Sequence, residues 1–304
     1  MSSAEIAVQV FRTLENKDFR VLHVIEAAMA KHEFVPKELI AKYTKFTLEE
    51  TTFRLNRLHK MHLIRQMRGP YVGYTLNYAG YDCLAINALV KAGVLESFGK
   101  PLGVGKESDV YDALNPKGER IAVKFHRLGR ISFRQIRRKR DYAAKAEHAN
   151  WLLQSRLAAE KEFQALRLVF PKKVAVPEPI SQNRHALVMG MIEGAELAEW
   201  RKIPNPKKVL KEILFNIRKA YLRAGVIHAD LSEYNVILKP DMHILIIDWP
   251  QYVTSCHPNA QQLLTRDVKN ILDYFKRKHG LSFKLKDALD YVCGVGKLKA
   301  LQRI

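Results

Sequence analysis

Cysteine is scarce in this chain, and its three cysteines lie far apart. They are Cys83, Cys256 and Cys293, and no two of them have the short spacing of a zinc-ligand pair. An odd number of isolated thiols argues against a disulfide framework and against a structural zinc site. We therefore expect a protein of a reducing compartment, and the cytoplasm is the natural setting.

Long hydrophobic runs are also missing. No apolar stretch approaches the roughly 20 residues that a transmembrane helix needs. The first residues, MSSAEIAVQVFRTLENKDF, lack the basic start and apolar core of a secretory signal peptide. Hydrophobic residues nevertheless make up 47% of the 304 residues. This composition predicts a soluble globular protein of roughly two or three domains.

Acidic residues are few relative to basic ones. The chain has 51 Lys and Arg residues against 31 Asp and Glu, which gives a formal net charge of +20. The excess is clustered, since residues 127–145 contain eight basic residues and one Asp. A field of this sign attracts polyanions. We therefore expect a nucleic acid or a ribonucleoprotein as a partner.

The N-terminal region, residues 1–92, has the pattern of a winged helix. Pro36 suits the first turn of one helix, and Thr47 with Glu50 forms the capping-box pattern that opens the next. A predicted hairpin follows over residues 62–77, and a closing helix comes after it. The alternative is a small helical domain that packs against its neighbour.

A nucleic-acid role for this region has a modest electrostatic basis, because residues 1–92 contain 13 basic and nine acidic residues. If the region binds nucleic acid, we expect the predicted second helix and the wing to approach it. The basic side chains concerned are Arg54, Arg57, Lys60, Arg65 and Arg68.

A glycine-rich stretch follows, GVGKESDVYDA from Gly103. Glycines let a backbone approach a phosphate closely, Ser108 adds a hydroxyl, and Lys106 adds a positive charge. The spacing is not that of a Walker A loop. A GxG turn more often serves hairpin geometry, so this alternative remains open.

The next strand, IAVKFH, places Lys124 among apolar residues. Such a lysine either lies at a solvated edge or reaches a phosphate site, where it needs an acidic partner. The later helix offers Glu160 and Glu162, which are two residues apart and face different sides. We favour Glu162 as the partner, because its neighbour Phe163 suggests that it lies near the buried face of the helix. The alternative is that both glutamates are solvated charges on the helix surface.

The most informative stretch is VIHADLSEYNVILKPDMHILIIDWPQ, residues 226–251. Asp230 can align an attacking hydroxyl, and Asn235 and Asp248 offer the oxygen ligands that a hard cation prefers. A hairpin that turns at residues 239–241 would bring these three residues to one end. We expect His228 to hold the loop rather than act as a base.

These motifs resemble known kinase segments. H-x-D-L-x-x-x-N followed by an apolar strand and Asp is similar to the catalytic and metal-binding segments of protein kinases. IDWPQ stands where ordinary kinases have Asp-Phe-Gly, and no Ala-Pro-Glu follows. GKES, HADLSEYN and IDWPQ together resemble the RIO family of atypical kinases. The winged helix narrows the resemblance to the second RIO subfamily. Because the sequence shows no acidic or targeting tail of the eukaryotic type, we expect an archaeal source.

The resemblance implies an α+β fold, in which an N-terminal winged helix precedes a two-lobed protein-kinase-like domain. The expected divisions are residues 1–92, an N-lobe over 93–184 and a hinge with the C-lobe over 185–304. A basic insertion at about 127–148 is expected to become ordered on nucleotide or ribosome binding, and Ser132 within it is a candidate phosphorylation site.

The resemblance also implies roles for individual residues. Asp230 would be catalytic, and Asn235 and Asp248 would hold Mg²⁺, with Mn²⁺ as an alternative. Lys124 would contact nucleotide phosphates and pair with Glu162. The hinge near Gly190 would bind adenine through its backbone. The expected nucleotide-contacting residues are Gly103, Gly105, Lys106, Glu107, Ser108, Val110, Lys124, Glu162, Met189, Met191 and Ile192.

The implied function is an ATP- and Mg²⁺-dependent serine/threonine kinase or ATPase, autophosphorylating, that acts in maturation of the small ribosomal subunit. Asp248 is in addition a candidate transient phosphate acceptor. A small-molecule phosphotransferase of the antibiotic-kinase type also uses His-x-Asp and a later Asp, but the winged helix and basic insertion argue against it. A non-catalytic docking protein would be expected to have lost at least one of the polar residues of the site. All four are present, namely Lys124, Asp230, Asn235 and Asp248.

Overall fold

The computed structural model describes residues 2–128 and 144–295, so Ser132 and most of the predicted basic insertion lie outside the described residues. The chain divides into two compact units. The first unit consists of Met1–Ala159 and Ser181–Val188, and the second of Glu160–Ile180 and Met189–Ile304. The finer division at residues 92/93 and 184/185 stays a prediction.

The first unit begins with five helices and a small antiparallel sheet. The helices are α1 (Ser3–Phe11), α2 (Asn16–Ala28), α3 (Lys37–Thr44), α4 (Leu48–Lys60) and α5 (Tyr78–Lys91). The strands are β1 (Val35–Pro36), β2 (Ile64–Arg68) and β3 (Val72–Leu76), in the order β1-β3-β2. Helix, turn, helix and hairpin follow one another as the sequence predicts for a winged helix.

Local signals explain where these helices begin. The hydroxyl of Thr47 accepts a hydrogen bond from the Glu50 amide at 3.1 Å, which caps α4 as expected. The side chain of Asn77 caps α5 in the same way, through the Gly80 amide at 3.0 Å. Gly80 itself is required by a close approach, because a Cβ there would lie 2.2 Å from the carbonyl oxygen of Leu63.

The expectation that Arg54 would approach nucleic acid is wrong, and the same expectation for Arg57 stays a prediction. Arg54 is buried, and its guanidinium donates to Glu15 at 2.7 Å and to Asp18 at 3.2 Å. Arg57 donates to Glu15 at 2.6 Å and lies 3.2 Å from Asp18. Both cations are therefore neutralised by acidic residues near the start of α2, and they join α4 to α2.

A five-stranded sheet makes up most of the remainder of the first unit. Its strands are β4 (Ser97–Val104), β5 (Ser108–Leu114), β6 (Arg120–His126), β7 (Pro179–Asn183) and β8 (Ala186–Gly190). Their order is β4-β5-β6-β8-β7. A bulged register between β4 and β5 lies near Pro101, and bulges of this kind bend a strand and increase its twist. The long helix α6 (Ala144–Val169) runs from the first unit into the second.

The second unit combines helices with short strand pairs. Its helices are α7 (Pro206–Ala224), α8 (Ala260–His279) and α9 (Leu285–Val292). Its strands are β9 (Ala195–Glu196), β10 (Val226–Ile227), β11 (Val236–Leu238), β12 (Ile244–Ile246) and β13 (Val253–Thr254). They form a sheet in the order β12-β11-β9 and the pair β10-β13. The predicted hairpin is thus present as β11 and β12.

Local signals also explain where helix α7 begins and ends. The Asn205 side chain accepts from the Lys208 amide at 3.0 Å, and Pro206 occupies the first helical position. Gly225 ends the helix in the left-handed region, at φ +65°. Among the described residues, no helix has both the length and the apolarity that a membrane crossing requires.

The three cysteines occupy different environments and are all free. Cys83 is fully buried in α5, and burial raises the pKa of its thiol. Cys256 is exposed in the second unit, and Cys293 is partly buried just after α9. Their distribution agrees with the expected absence of a disulfide framework.

Candidate active site

Hydrogen bonds bring the ends of the β11–β12 hairpin together in the second unit. The side-chain amide of Asn235 donates to the carbonyl oxygen of Asp230 at 2.8 Å. The Ile247 amide donates to the carbonyl oxygen of Asn235 at 3.0 Å, and the Ile247 oxygen lies 2.9 Å from Nε2 of His228. Asp230, Asn235 and Asp248 are therefore gathered at one end of the hairpin, as the sequence predicts.

His228 lies beneath this arrangement. The ring is buried, and its centroid lies 4.6 Å from that of Trp249. Burial lowers the pKa of His228, although the Ile247 carbonyl and nearby carboxylates oppose this shift. A neutral ring that donates to a backbone carbonyl fits the predicted role of holding the loop.

Two residues of the site have a left-handed backbone although neither is glycine. They are Ala229, at φ +64°, and Asp248, at φ +67°. Such conformations cost on the order of 1–3 kcal/mol each and persist where the surroundings hold them. Next to Asp248, the backbone of buried Trp249 donates to the Glu162 carboxylate at 3.4 Å. Backbone strain therefore occurs next to Asp230, at Ala229, and at Asp248 itself.

Helix α8 fixes the backbone around Asp230. The carboxylate of Asp267 accepts from the Ala229 amide at 2.7 Å and from the Leu231 amide at 3.0 Å. Burial raises the pKa of Asp267 to about 6, against the lowering effect of these two amides. Arg266 donates to the Ala229 carbonyl, and Asn270 donates to that of Leu231 at 3.1 Å. Both neighbours of Asp230 are thus held from one side.

The polar groups at the hairpin end suit a magnesium ion. Because the amide nitrogen of Asn235 is committed to the Asp230 carbonyl, its amide oxygen is oriented away and can act as a ligand. Asp248 is half-buried and supplies a carboxylate. Among the described residues, no group of three or more His, Cys, Asp or Glu could hold a metal ion. This donor set fits Mg²⁺, which is usually bound by one or two carboxylates together with substrate phosphates.

The predicted phosphate-binding residues lie together in the first unit. In the antiparallel β5–β6 pair, Ser108 is opposite His126 and Val110 is opposite Lys124. Opposed and alternate residues share a face of the sheet. Ser108, Val110 and Lys124 are therefore neighbours on one face, and Lys124 is only 6% exposed rather than at a solvated edge.

The β4–β5 turn is open on its outer side. Gly103, Gly105, Lys106 and Glu107 are exposed, and the Gly105 amide donates to the Ser108 carbonyl at 2.8 Å. A Cβ on Gly105 would lie 3.3 Å from that carbonyl oxygen, whereas one on Gly103 would meet nothing within 4 Å. Neither has positive φ. Gly103 is thus not required by the fold, which leaves close approach of a ligand as a reason for it.

The predicted hinge residues belong to the second unit. Met189 is buried, and Met191 and Ile192 are half-buried. The Gly190 amide donates to the carbonyl oxygen of Glu178 at 2.8 Å. A Cβ on Gly190 would lie 3.4 Å from the Glu178 side chain, an ordinary contact, so the backbone here has room for a larger residue.

Lys124 and Glu162, the predicted ion pair, belong to different units. Each is buried, with 6% and 2% exposure. A buried charge needs a partner of opposite charge. Their pairing with each other stays a prediction.

Comparison with known proteins identifies the family. A family model described as the RIO domain matches residues 109–288, and one described as the Rio2 N-terminal domain matches residues 11–92. The chain belongs to the RIO family. The predicted family and the predicted fold class are confirmed.

Relatives of this RIO chain include named kinases. It is 43% identical over 254 residues to the RIO-type serine/threonine-protein kinase Rio2 of Methanocaldococcus jannaschii, with 82% of this chain and 92% of that protein covered. It is 39% identical to the serine/threonine-protein kinase rio2 of Schizosaccharomyces pombe, with 90% and 79% covered.

A solved structure of similar fold is the Rio2 kinase from Chaetomium thermophilum in an ADP/Mg²⁺–phosphoaspartate complex. Its TM-score is 0.81 at 33% identity, and the match covers 97% of this RIO chain and 92% of that one. The similarity therefore extends through both units of the fold.

Sequence reasoning missed Asp267 in this RIO chain. It lies on the apolar face of α8 beside Leu264, Val268 and Ile271, all of which are buried. A carboxylate at a helical position that otherwise faces the core needs hydrogen-bond donors from elsewhere. That pattern, an Asp within a 3–4 residue apolar repeat, is the signal that would have found it.

Proposed function

We propose that this RIO chain is an ATP- and Mg²⁺-dependent phosphotransferase, which acts as a serine/threonine kinase toward itself or another acceptor and also as an ATPase. The observation that carries the proposal is the hydrogen-bonded gathering of Asp230, Asn235 and Asp248 at one end of the hairpin. The kinases among its relatives support the same reaction class.

In the second unit, Asp230 is the catalytic group. Its exposed carboxylate accepts a hydrogen bond from the attacking hydroxyl or water and aligns it. Asn235 and Asp248 would hold Mg²⁺. The bound ion supplies neutralisation of charge on the nucleotide phosphates. The backbone near Met189, Met191 and Ile192 binds adenine.

In the first unit, the β4–β5 turn and β6 bind phosphate. Exposed amides between Gly103 and Glu107 donate to phosphate oxygens, Ser108 adds its hydroxyl, and Val110 packs beside them. Lys124 neutralises phosphate charge. Glu162 in the second unit is its acidic partner in this proposal.

A second route to ATP hydrolysis uses Asp248 as a transient acceptor. A carboxylate oxygen attacks the γ-phosphorus, the bond to the β-phosphate oxygen breaks, and ADP leaves with that electron pair. Water then hydrolyses the aspartyl phosphate to phosphate and the free carboxylate. The phosphoaspartate complex of the Chaetomium thermophilum kinase favours this route.

The proposed partner is a precursor of the small ribosomal subunit, in a cytoplasmic setting. The net charge of +20 suits binding to ribosomal RNA. An ATPase whose turnover controls release from such a particle would not need a peptide-binding platform. This agrees with the short chain length between Asp248 and the helix that starts at Ala260.

The test is transfer of label from γ-³²P-ATP, with and without small ribosomal subunits. Wild type is compared with Asp230→Asn and Asp248→Asn, and protein-bound and free phosphate are measured together. Asp241→Asn is the matched control, because Asp241 is exposed in the turn of the same hairpin, and within the described part of the chain it bonds Lys239 and the His243 amide. The control should retain wild-type activity.

The outcomes separate the alternatives. Label on the protein that both site variants lose indicates a kinase, and free phosphate that rises with subunits indicates a coupled ATPase. Hydroxylamine-sensitive label that Asp248→Asn alone abolishes supports the aspartyl phosphate. Nucleotide binding without turnover in any condition would refute catalysis and leave a docking protein.

A further inference from the structure

A closed cluster of charged side chains lies behind the phosphate-binding face of the first unit. Arg127 is 1% exposed and forms a two-pronged ion pair with Asp82 of α5, at 2.7 and 2.9 Å. Its Nε donates to Asp109 of β5 at 3.1 Å. His185 lies 2.6 Å from the same Asp82 carboxylate. Four ionisable groups, from α5, β5, the residue after β6 and the β7–β8 turn, thus meet in the interior.

Aromatic rings enclose this cluster. The guanidinium of Arg127 lies 5.1 Å from the ring centroids of both Tyr78 and Phe125. The His185 ring stacks on Tyr81 with centroids 4.5 Å apart. Burial lowers the pKa of His185 to about 4, so its ring is neutral. Arg127 is therefore the cation that offsets both buried carboxylates.

The cluster and the phosphate-binding residues occupy opposite faces of the same two strands. Asp109 is adjacent to Ser108, and side chains alternate along a strand. Arg127 therefore grips β5 from one face, while Ser108 and Lys124 point to the other. The Arg127 amide also donates to the carbonyl oxygen of Glu107, within the phosphate turn, at 2.6 Å.

Further bonds hold the chain immediately after Arg127. The Tyr78 hydroxyl of α5 donates to the Leu128 carbonyl at 2.7 Å and lies 3.0 Å from the Ser155 hydroxyl. The Leu128 amide donates to that Ser155 hydroxyl at 3.0 Å. The winged helix, through α5, thus controls where residues 127 and 128 lie.

We propose that Asp82 and Arg127 are positioning residues, through which the winged helix holds the phosphate turn in its nucleotide-binding geometry. Asp82 orients the guanidinium, the guanidinium fixes Asp109 at the start of β5, and the Arg127 amide fixes Glu107. The inference rests on the proposed function, because it assumes that the turn binds ATP phosphates. It gives the winged helix a part in nucleotide affinity.

The test compares binding of Mg·ATP with binding of adenosine, which has no phosphate, by calorimetry on the full chain. Asp82→Asn weakens the ion pair. Glu26→Gln is the matched control, because Glu26 of α2 forms a similar two-pronged pair with Arg184, at 2.6 and 2.7 Å, in the β7–β8 turn. That pair also joins the winged helix to the sheet but touches no phosphate-turn residue.

We expect Asp82→Asn to raise the Kd for Mg·ATP about tenfold to hundredfold, as small displacements of binding groups do. The Kd for adenosine should change by less than about twofold, and Glu26→Gln should leave the ratio of the two constants unchanged. If Asp82→Asn does not fold, Arg127→Lys is measured instead, since lysine keeps the positive charge but cannot form the two-pronged pair with Asp82.

An unchanged ratio in the folded variant would overturn the inference, as would an equal change in Glu26→Gln. Both results would leave the proposed function intact, because wild type would still bind Mg·ATP. Failure of wild type to bind Mg·ATP would instead remove the proposed function and the inference together.

Discussion

The two units use carboxylates in different ways. In the first unit, Asp82 and Asp109 are fully buried, and both are bonded to Arg127. In the second unit, the Asp230 side chain is exposed and that of Asp248 is half-buried. A buried charge that loses its partner destabilises the fold strongly, whereas an exposed carboxylate contributes little to stability. The first pair is thus committed to structure, and the second is accessible for chemistry.

Asp267 combines both properties. It is buried like Asp82, yet the amides it holds belong to the residues on either side of Asp230. Mutation of such a residue should affect stability and activity together. The contrast between the two units can therefore be tested by asking which quantity each substitution changes.

The largest effect should come from Asp230→Asn. Loss of the aligning carboxylate is expected to lower kcat for phosphoryl transfer about 10²–10⁴-fold. The midpoint of thermal unfolding should stay near that of wild type, because the side chain is exposed. Single-turnover transfer from γ-³²P-ATP and a thermal melt measure the two quantities. A melt that falls as far as the activity would remove the contrast.

Arg127→Met should do the reverse in the first unit. It leaves Asp82 and Asp109 buried without their cation, which should lower the free energy of unfolding by roughly 3–5 kcal/mol. Urea unfolding followed by circular dichroism would measure the change. Asp82→Asn/Arg127→Met is the control, since removing both partners should recover part of the loss. If Arg127→Met alone were as stable as wild type, the two buried carboxylates would not depend on Arg127 for their neutralisation.

Asp267→Asn should lie between these two. An amide oxygen can replace only part of a carboxylate that accepts from two backbone amides, so we expect stability to fall by about 1–3 kcal/mol. Displacement of the Asp230 backbone should also lower kcat about tenfold or more. Parallel melts and turnover assays check both. A loss of stability alone would show that Asp230 does not depend on this support.

The smallest effect, and a pH-dependent one, is expected for Glu26→Gln. Although burial opposes it, hydrogen bonds from His23 and Arg184 lower the pKa of Glu26 to about 2. A lowered carboxylate pKa stabilises the fold at pH values above the unfolded value of 4.5, and this is lost as the pH falls toward 2. At pH 7 the free energy of unfolding of wild type should exceed that of the variant by roughly 1–2 kcal/mol, after allowance for solvent screening. Thermal melts of both proteins should show a smaller stability difference at pH 3 than at pH 7. An equal difference at the two pH values would contradict the prediction.

Short-range features of the sequence were the most predictable. Residues 226–251 form a single hairpin with its flanking loop, so their spacing alone brings Asp230, Asn235 and Asp248 together. The bounds of helix α7 also depend on local signals, because Pro206 and Gly225 mark its two ends. In both cases the relevant contacts lie within one local element.

Features that depend on distant partners were not predicted. Asp82 lies 45 residues from Arg127 and 103 from His185, and no local propensity links such positions. The expected exposure of Arg54 was wrong for the same reason, since its partners belong to another helix. The two-residue strands β9, β10 and β13 exist only through pairing with strands elsewhere in the second unit.

The alkylation rates of the three free cysteines can report local opening in the two units. Alkylation of Cys83, which is buried in the first unit, requires an opening of α5, so its rate reports the frequency of that opening. Cys256, exposed in the second unit, needs no opening and should react at once. Partly buried Cys293 gives a third, intermediate rate. The unmodified chain can thus report, peptide by peptide in a mass spectrometer, how often its winged helix loosens.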